Sequence, residues 1–171
     1  MDKTIEQTIL DEYVKNRNKR NPYKEPRSEQ WKSLYRLDMQ SFSKEINSMP
    51  YRSDKLGGLL DKTDDVDTFF NDKQSDRDCD DYARAWLTWG VHNGFCAQEV
   101  IITTNEHLFK DAHVICLLTK DTKTWLCNYE PYGSFNSTDE AIMYMKNWNT
   151  YKDGYNFALG IAVYPVLWEV T

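Results

Sequence analysis

The chain has 171 residues, and 40% of them are hydrophobic, which is enough to form the core of one globular domain. Its formal net charge is −6, which argues against a nucleic-acid-binding protein because phosphate contacts require concentrated Lys and Arg. The basic residues that do cluster, in Lys15–Lys24, are predicted to form a solvated helix end and loop.

The lack of a visible signal peptide and the spacing of the cysteines indicate a reducing compartment. The start of the chain, MDKTIEQTIL, has no apolar signal-peptide segment, and no apolar run approaches the ~20 residues of a membrane helix. We therefore expect a cytoplasmic protein without membrane association. The four cysteines, at positions 79, 96, 116 and 127, have no close paired spacing, which favours thiols over a disulfide framework or a zinc site.

Two helices are predicted in the first part of the chain. Apolar residues recur at helical spacing in 4–17 and again in 28–47, and Pro22 and Pro26 break the chain between them. A long polar connector, residues 50–77, separates these helices from the rest of the chain.

The next predicted helix begins after Asp78. Its apolar stripe starts with Cys79 and recurs at steps of three and four residues until Gly94, a typical stop signal. Three strand-like runs follow: AQEVIITT (97–104), AHVICLLT (112–119) and TWLCNYEP (124–131).

The last part of the chain contains one more helix and a closing strand. Ser137 and Glu140 have the spacing of a capping box, which predicts a helix in 137–148. The final stretch, NFALGIAVYPVLWEV, predicts one or two closing strands interrupted at Pro165. Because helices precede strands without a βα alternation, the predicted fold class is α+β, with helices packed on an antiparallel sheet.

The stretch DRDCDDYARAW surrounds Cys79 with carboxylates. Nearby anions raise the pKa of a thiol, whereas the N-terminus of a helix lowers it. Two kinds of cation could offset the acids, namely an imidazolium paired with the thiolate or a metal ion held by the carboxylates. Of the three histidines, His92 and His107 are predicted to lie on the surface.

His113 is the candidate imidazole, because it lies in an apolar strand where a polar ring needs a partner. A hairpin closing at KDTK pairs residues whose numbers sum to 243, which puts Glu130 opposite His113. Asn128, two residues away on the same face, is the diagonal alternative. Cys79, His113 and one of these two residues then form a nucleophile, a base and an orienting group, the set used for acyl transfer through a thioester.

Three motifs carry a resemblance to a known family. DCDDYA, AHVICLL and WLCNYEPYG together resemble the bacterial transglutaminase-like cysteine peptidases, within the transglutaminase-like, papain-related fold. The resemblance implies that Cys79 is the nucleophile, His113 the base and a carboxylate on the next strand the orienting group. Glu130 stands where the family usually has Asp, so Asn128 remains a candidate for the third position.

The resemblance also implies a domain organisation, since it covers about residues 50–135. We expect a single domain over 1–171, in which 1–49 form an N-terminal helical extension and 50–171 form the transglutaminase-like core.

Calcium is the cofactor that the resemblance suggests, although the chemistry requires none. The family often binds calcium through the acids around its nucleophile, which here are Asp78, Asp80 and Asp81. Their oxygen ligands suit a hard cation, which would neutralise the field that opposes the thiolate. Alternatively, the acids favour the helix dipole in solvent, with Asp80 pairing Arg84 at i,i+4.

The expected function is a cysteine-dependent peptidase or amidase that acts on a protein or peptide through a thioester. The backbone N–H of Cys79, at the start of a helix, is the expected oxyanion donor. Two alternatives stay open: a transamidase, in which an amine accepts the acyl group, and a catalytically inactive binding module that sequesters a protein partner.

Overall fold

The computed structural model describes residues 4–52, 66–70, 77–104, 113–148 and 155–165. Within these residues the chain forms five α-helices and a five-stranded sheet, so the α+β prediction is confirmed. The helices are α1 (Ile5–Arg20), α2 (Glu29–Leu34), α3 (Met39–Asn47), α4 (Cys79–His92) and α5 (Thr138–Lys146), with a 3₁₀ turn at Val66–Thr68. The strands are β1 (Cys96–Thr104), β2 (His113–Lys120), β3 (Lys123–Cys127), β4 (Pro131–Phe135) and β5 (Tyr155–Val163). None of the described helices is long and apolar enough to cross a membrane.

The sheet has the order β4-β3-β2-β1-β5, and every neighbouring pair is antiparallel. Side chains of β2 alternate between two buried layers, with Cys116 and Leu118 in the layer that contains α4 and Ile115 and Leu117 in the layer that contains α5. Burial on both faces explains why this strand is an uninterrupted apolar run in the sequence.

The helices of the N-terminal region share one core with α4. Phe42 of α3 packs edge-to-face on Trp86 of α4 with ring centroids 5.1 Å apart, and Trp31 of α2 packs on Phe42 at 6.1 Å. Leu10 and Val14 of α1 belong to the same buried cluster. The apolar positions that predicted these helices therefore face a core that they share with the sheet.

The second predicted helix, 28–47, is divided into α2 and α3 in the structure. Asp38 ends the break, because its side chain accepts a hydrogen bond from the backbone N–H of Ser41 at 2.8 Å and starts α3 as its N-cap. Asp38 thus starts a new helix within the stretch 28–47, although the spacing of the apolar residues there predicted one continuous helix.

Two residues are less exposed than the sequence predicted. The segment Lys15–Lys24 is the expected helix end and loop with exposed lysines, but its Arg17 is completely buried. His92 is half-buried, and its ring stacks on Tyr35 with centroids 3.7 Å apart. His107 lies outside the described residues.

The C-terminal elements agree with the prediction except at one turn. Ser137 accepts a hydrogen bond from the N–H of Glu140 at 3.1 Å, so the predicted cap starts α5. The predicted strand 124–131 is instead two strands, β3 and β4. The closing strand is β5, and residues 166–171 lie outside the described residues.

Candidate functional site

Cys79 is the first residue of α4, as the sequence predicted. The carboxylate of Asp81 accepts a hydrogen bond from the backbone N–H of Asp78 at 3.2 Å. This bond caps the N-terminus of α4, with Asp78, the residue before the cysteine, as the N-cap. The thiol is half-buried, and so is that of Cys96, whereas Cys116 and Cys127 are buried. All four cysteines are thiols, and burial raises the pKa of Cys116 and of Cys127.

His113, the first residue of β2, is bound to Asn128. Its Nε2 lies 2.8 Å from Asn128 Oδ1. An amide oxygen can only accept a hydrogen bond, so Nε2 carries the proton and, in the neutral ring, Nδ1 carries the lone pair. Burial lowers the pKa of His113, while the bond to Asn128 opposes that shift. The lowered pKa favours the neutral imidazole, in which Nδ1 is the nitrogen that carries the lone pair.

Glu130 does not lie opposite His113, contrary to the first choice from register. The predicted pairing sum of 243 is correct along the ladder from Lys120↔Lys123 to Cys116↔Cys127. The ladder ends there, because the chain turns back: Asn128 N–H donates to Glu130 O at 3.1 Å, and Cys127 pairs with Pro131 in β4. Glu130 is consequently an exposed turn residue, and the side chain bonded to His113 Nε2 is that of Asn128.

Tyr129 connects the histidine to the start of α4. Its ring centroid lies 6.0 Å from that of His113 and 5.1 Å from that of Tyr82, which follows Cys79 by three residues and so lies on the same side of the helix. Asn47 Nδ2 and Trp86 Nε1 donate hydrogen bonds to its backbone carbonyl, at 2.8 and 3.4 Å. The first turns of α4 therefore lie over the end of β2 that carries His113.

The opposite ends of α4 and β2 also meet. Gly90 lies so close to Leu118 that a Cβ on the glycine would overlap Leu118 Cδ2. Cys79 precedes Gly90 by eleven residues, about 16 Å along a helix at 1.5 Å per residue. His113 precedes Leu118 by five residues, about 16 Å along a strand at 3.3 Å per residue. With Gly90 against Leu118 at one end and Tyr82 near Tyr129 and His113 at the other, α4 and β2 run in the same direction, and the first turns of α4, which begin with Cys79, lie at the His113 end of β2.

Asp78, Asp80 and Asp81, the predicted calcium ligands, do lie together, with one oxygen from each within 4.8 Å of the others. Two of the three carboxylates have other roles. Asp80 faces the guanidinium of Arg17 at 3.4 Å, and Asp81 binds the N–H of Asp78. A dication would have to lie beside a buried arginine, so these residues are a poor fit for calcium.

The alternative pairing of Asp80 with Arg84 is wrong, and both residues belong to a network that the sequence did not reveal. Asp80 pairs with Arg17 of α1, while Arg84 Nε pairs with Glu99 of β1 at 2.8 Å. Two signals were present in the sequence: Arg17 follows Val14 by three residues on the apolar side of α1, and Glu99 is the one charge in an otherwise uncharged strand.

No protein-family model matches the chain, and neither a curated protein nor a solved structure matches it.

Proposed function

We propose that the protein is a papain-like cysteine hydrolase of the transglutaminase-like type, in which Cys79 is the nucleophile, His113 the base and Asn128 the orienting group. The observation that carries the proposal is the 2.8 Å bond from His113 Nε2 to Asn128 Oδ1, at the end of β2 that lies near the first turns of α4, the helix that begins with Cys79. This bond leaves Nδ1 as the basic nitrogen, which a proton acceptor for a thiol requires.

The reaction follows from these roles. His113 Nδ1 takes the thiol proton while Cys79 Sγ attacks the carbonyl carbon of an amide, and the carbonyl oxygen becomes an oxyanion. The tetrahedral intermediate collapses as the imidazolium gives its proton to the leaving amine, which leaves an acyl thioester on Cys79. Water then attacks the thioester, His113 takes a proton from it, and collapse releases the acid and restores the thiol.

The oxyanion donor in this scheme is the backbone N–H of Cys79. The first four N–H groups of a helix have no acceptor within the helix, and they point toward the positive end of its dipole. A tetrahedral oxyanion formed on the carbon attacked by Cys79 Sγ would lie next to this group.

The substrate we propose is a protein or peptide, and the compartment is the cytoplasm, where a reducing environment keeps Cys79 as a thiol. An amine in place of water would make the same thioester the intermediate of a transamidase. The alternative from a different class is a catalytically inactive binding module, which keeps this fold and sequesters a protein partner. The resemblance of DCDDYA and AHVICLL to the transglutaminase-like peptidases supports the hydrolase.

The test is amide cleavage by the full chain, measured on a mixture of unstructured peptides by mass spectrometry. Cys79→Ala should abolish cleavage without lowering the melting temperature, and Cys96→Ala, which changes the other half-buried thiol, should retain it. Added hydroxylamine should yield peptide hydroxamates, because it captures a thioester in competition with water. Cleavage that persists in Cys79→Ala would overturn the proposal.

A further inference from the structure

Four charged side chains form a buried network between α1, α4 and β1. Arg17 Nη1 lies 2.7 Å from Glu99 Oε2, and Arg17 Nη2 lies 3.4 Å from Asp80 Oδ2. On the other side, Arg84 Nε lies 2.8 Å from Glu99 Oε1. All four side chains are at most 5% exposed. Two guanidinium groups and two carboxylates balance each other, as buried charges require.

The network joins the nucleophile's helix to the sheet. Asp80 directly follows Cys79, and its carboxylate points into the core toward Arg17. Arg17 in turn binds Glu99, which pairs across the sheet with Cys116 of β2, the strand that begins with His113. A continuous series of contacts therefore leads from the first turn of α4 to the strand of the base.

The end of α1 is held independently at a second point. Arg84 Nη2 and Nη1 donate hydrogen bonds to the backbone carbonyls of Asn21 and Pro22, at 3.1 and 3.2 Å. Arg84 and Arg17 thus both bind Glu99 and both connect α1 to α4, but Arg17 also contacts the carboxylate of Asp80, whereas Arg84 contacts backbone carbonyls at the end of α1. This difference supplies a matched control.

We infer that Arg17 is a positioning residue for the cysteine: by binding Asp80 and Glu99 together, it fixes the first turn of α4 against the sheet and holds Cys79 in register with His113. The inference rests on the proposed function. It makes α1 a part of the active-site support, since the guanidinium that orients the nucleophile's turn comes from this helix. It also assigns a role to Asp80, the acid that follows the cysteine, because its carboxylate pairs with Arg17 inside the protein.

The experiment measures how strongly His113 accelerates alkylation of Cys79. Full-length protein is treated with iodoacetamide at about pH 7, and modification of Cys79 is followed by peptide mapping. The quantity of interest is the rate ratio between each protein and its His113→Gln counterpart. This ratio reports the coupling of thiol and base, whereas a merely looser helix start would change both rates together.

In the wild-type background we expect His113→Gln to slow alkylation by about tenfold or more, as loss of a positioned base should. In the Arg17→Met background the ratio should fall to about twofold or less, because the thiol and the base no longer share a fixed geometry. In the Arg84→Met background, which removes the other contact to Glu99, it should stay near its wild-type value. Arg17→Lys should recover part of the ratio by restoring the cation.

The outcomes separate the two proposals. A ratio near one in the wild type would overturn the proposed function and the inference together. A large ratio that persists in Arg17→Met would overturn the inference alone, and so would an equal loss in Arg84→Met. If Arg17→Met fails to fold, Asp80→Ala removes the acceptor for Arg17 while the Arg17–Glu99 pair remains. Asp80→Ala should lower the ratio, and an unchanged ratio would overturn the positioning role.

Discussion

Replacement of Asn128 by Ala removes the side-chain hydrogen bond between His113 Nε2 and Asn128 Oδ1. The lost contact is a neutral hydrogen bond of 2.8 Å to a half-buried ring, worth about 0.5–1.5 kcal/mol. Without it the imidazole can rotate, and its proton can move to the nitrogen that must accept the thiol proton. We therefore expect cysteine-dependent cleavage to fall by about twofold to thirteenfold from the lost bond alone, since 1.36 kcal/mol corresponds to a factor of ten.

Glu130→Gln is the matched control for this change. Glu130 is exposed in the turn between β3 and β4, so its replacement should alter the rate by less than about twofold. Asn128→Asp should keep the hydrogen bond and raise the pKa of His113, because a carboxylate favours the charged ring. The assay is Cys79 alkylation together with peptide cleavage in the three variants. A larger loss in Glu130→Gln than in Asn128→Ala would refute the assignment of the third group.

Three further outcomes are expected. Burial lowers the pKa of His113 below its ordinary 6.5, so the unfolded chain takes up a proton that the folded chain resists. The free energy of unfolding should therefore be retained above about pH 6.5 and should decrease as the pH falls below it. Urea unfolding measured across this pH range should show a weaker pH dependence in His113→Gln than in the wild type. Gly90→Ala should lower the free energy of unfolding by about 1–3 kcal/mol because the added methyl overlaps Leu118, and unchanged urea unfolding would contradict that packing. Calcium should raise the melting temperature no more than magnesium does, because Asp80 and Asp81 are engaged within the protein. A calcium-specific rise that disappears when both become Asn would instead support calcium binding.

Local patterns were sufficient for much of the fold. The start of α4 after Asp78 and the cap of α5 at Ser137 are short-range signals, and both are present. The register of the β2–β3 hairpin also followed from sequence, because its two-residue turn leaves one pairing possible. Asp121 adopts a positive φ of 54° in that turn, a conformation that Asp tolerates better than most residues.

The third group of the site was beyond such patterns. Extrapolating a correct register to Glu130 assumed that β3 continued, but the strand ends at Cys127 and turns through NYE, which contains neither Gly nor Pro. Arg17 presents a different difficulty, because its partners Asp80 and Glu99 are 63 and 82 residues away in sequence. Spacing within one element cannot reveal a pair that forms only when separate elements pack together.

The most direct test of the central claim is the site at which limiting iodoacetamide modifies the folded protein at about pH 6, where an unactivated thiol reacts slowly. Peptide mapping compares Cys79 with Cys96, the other half-buried thiol, within the same molecules. A nucleophile served by His113 predicts that Cys79 is labelled first and that His113→Gln abolishes its advantage. Equal labelling of the two cysteines, or a preference for Cys79 that survives His113→Gln, would contradict a cysteine–histidine active site.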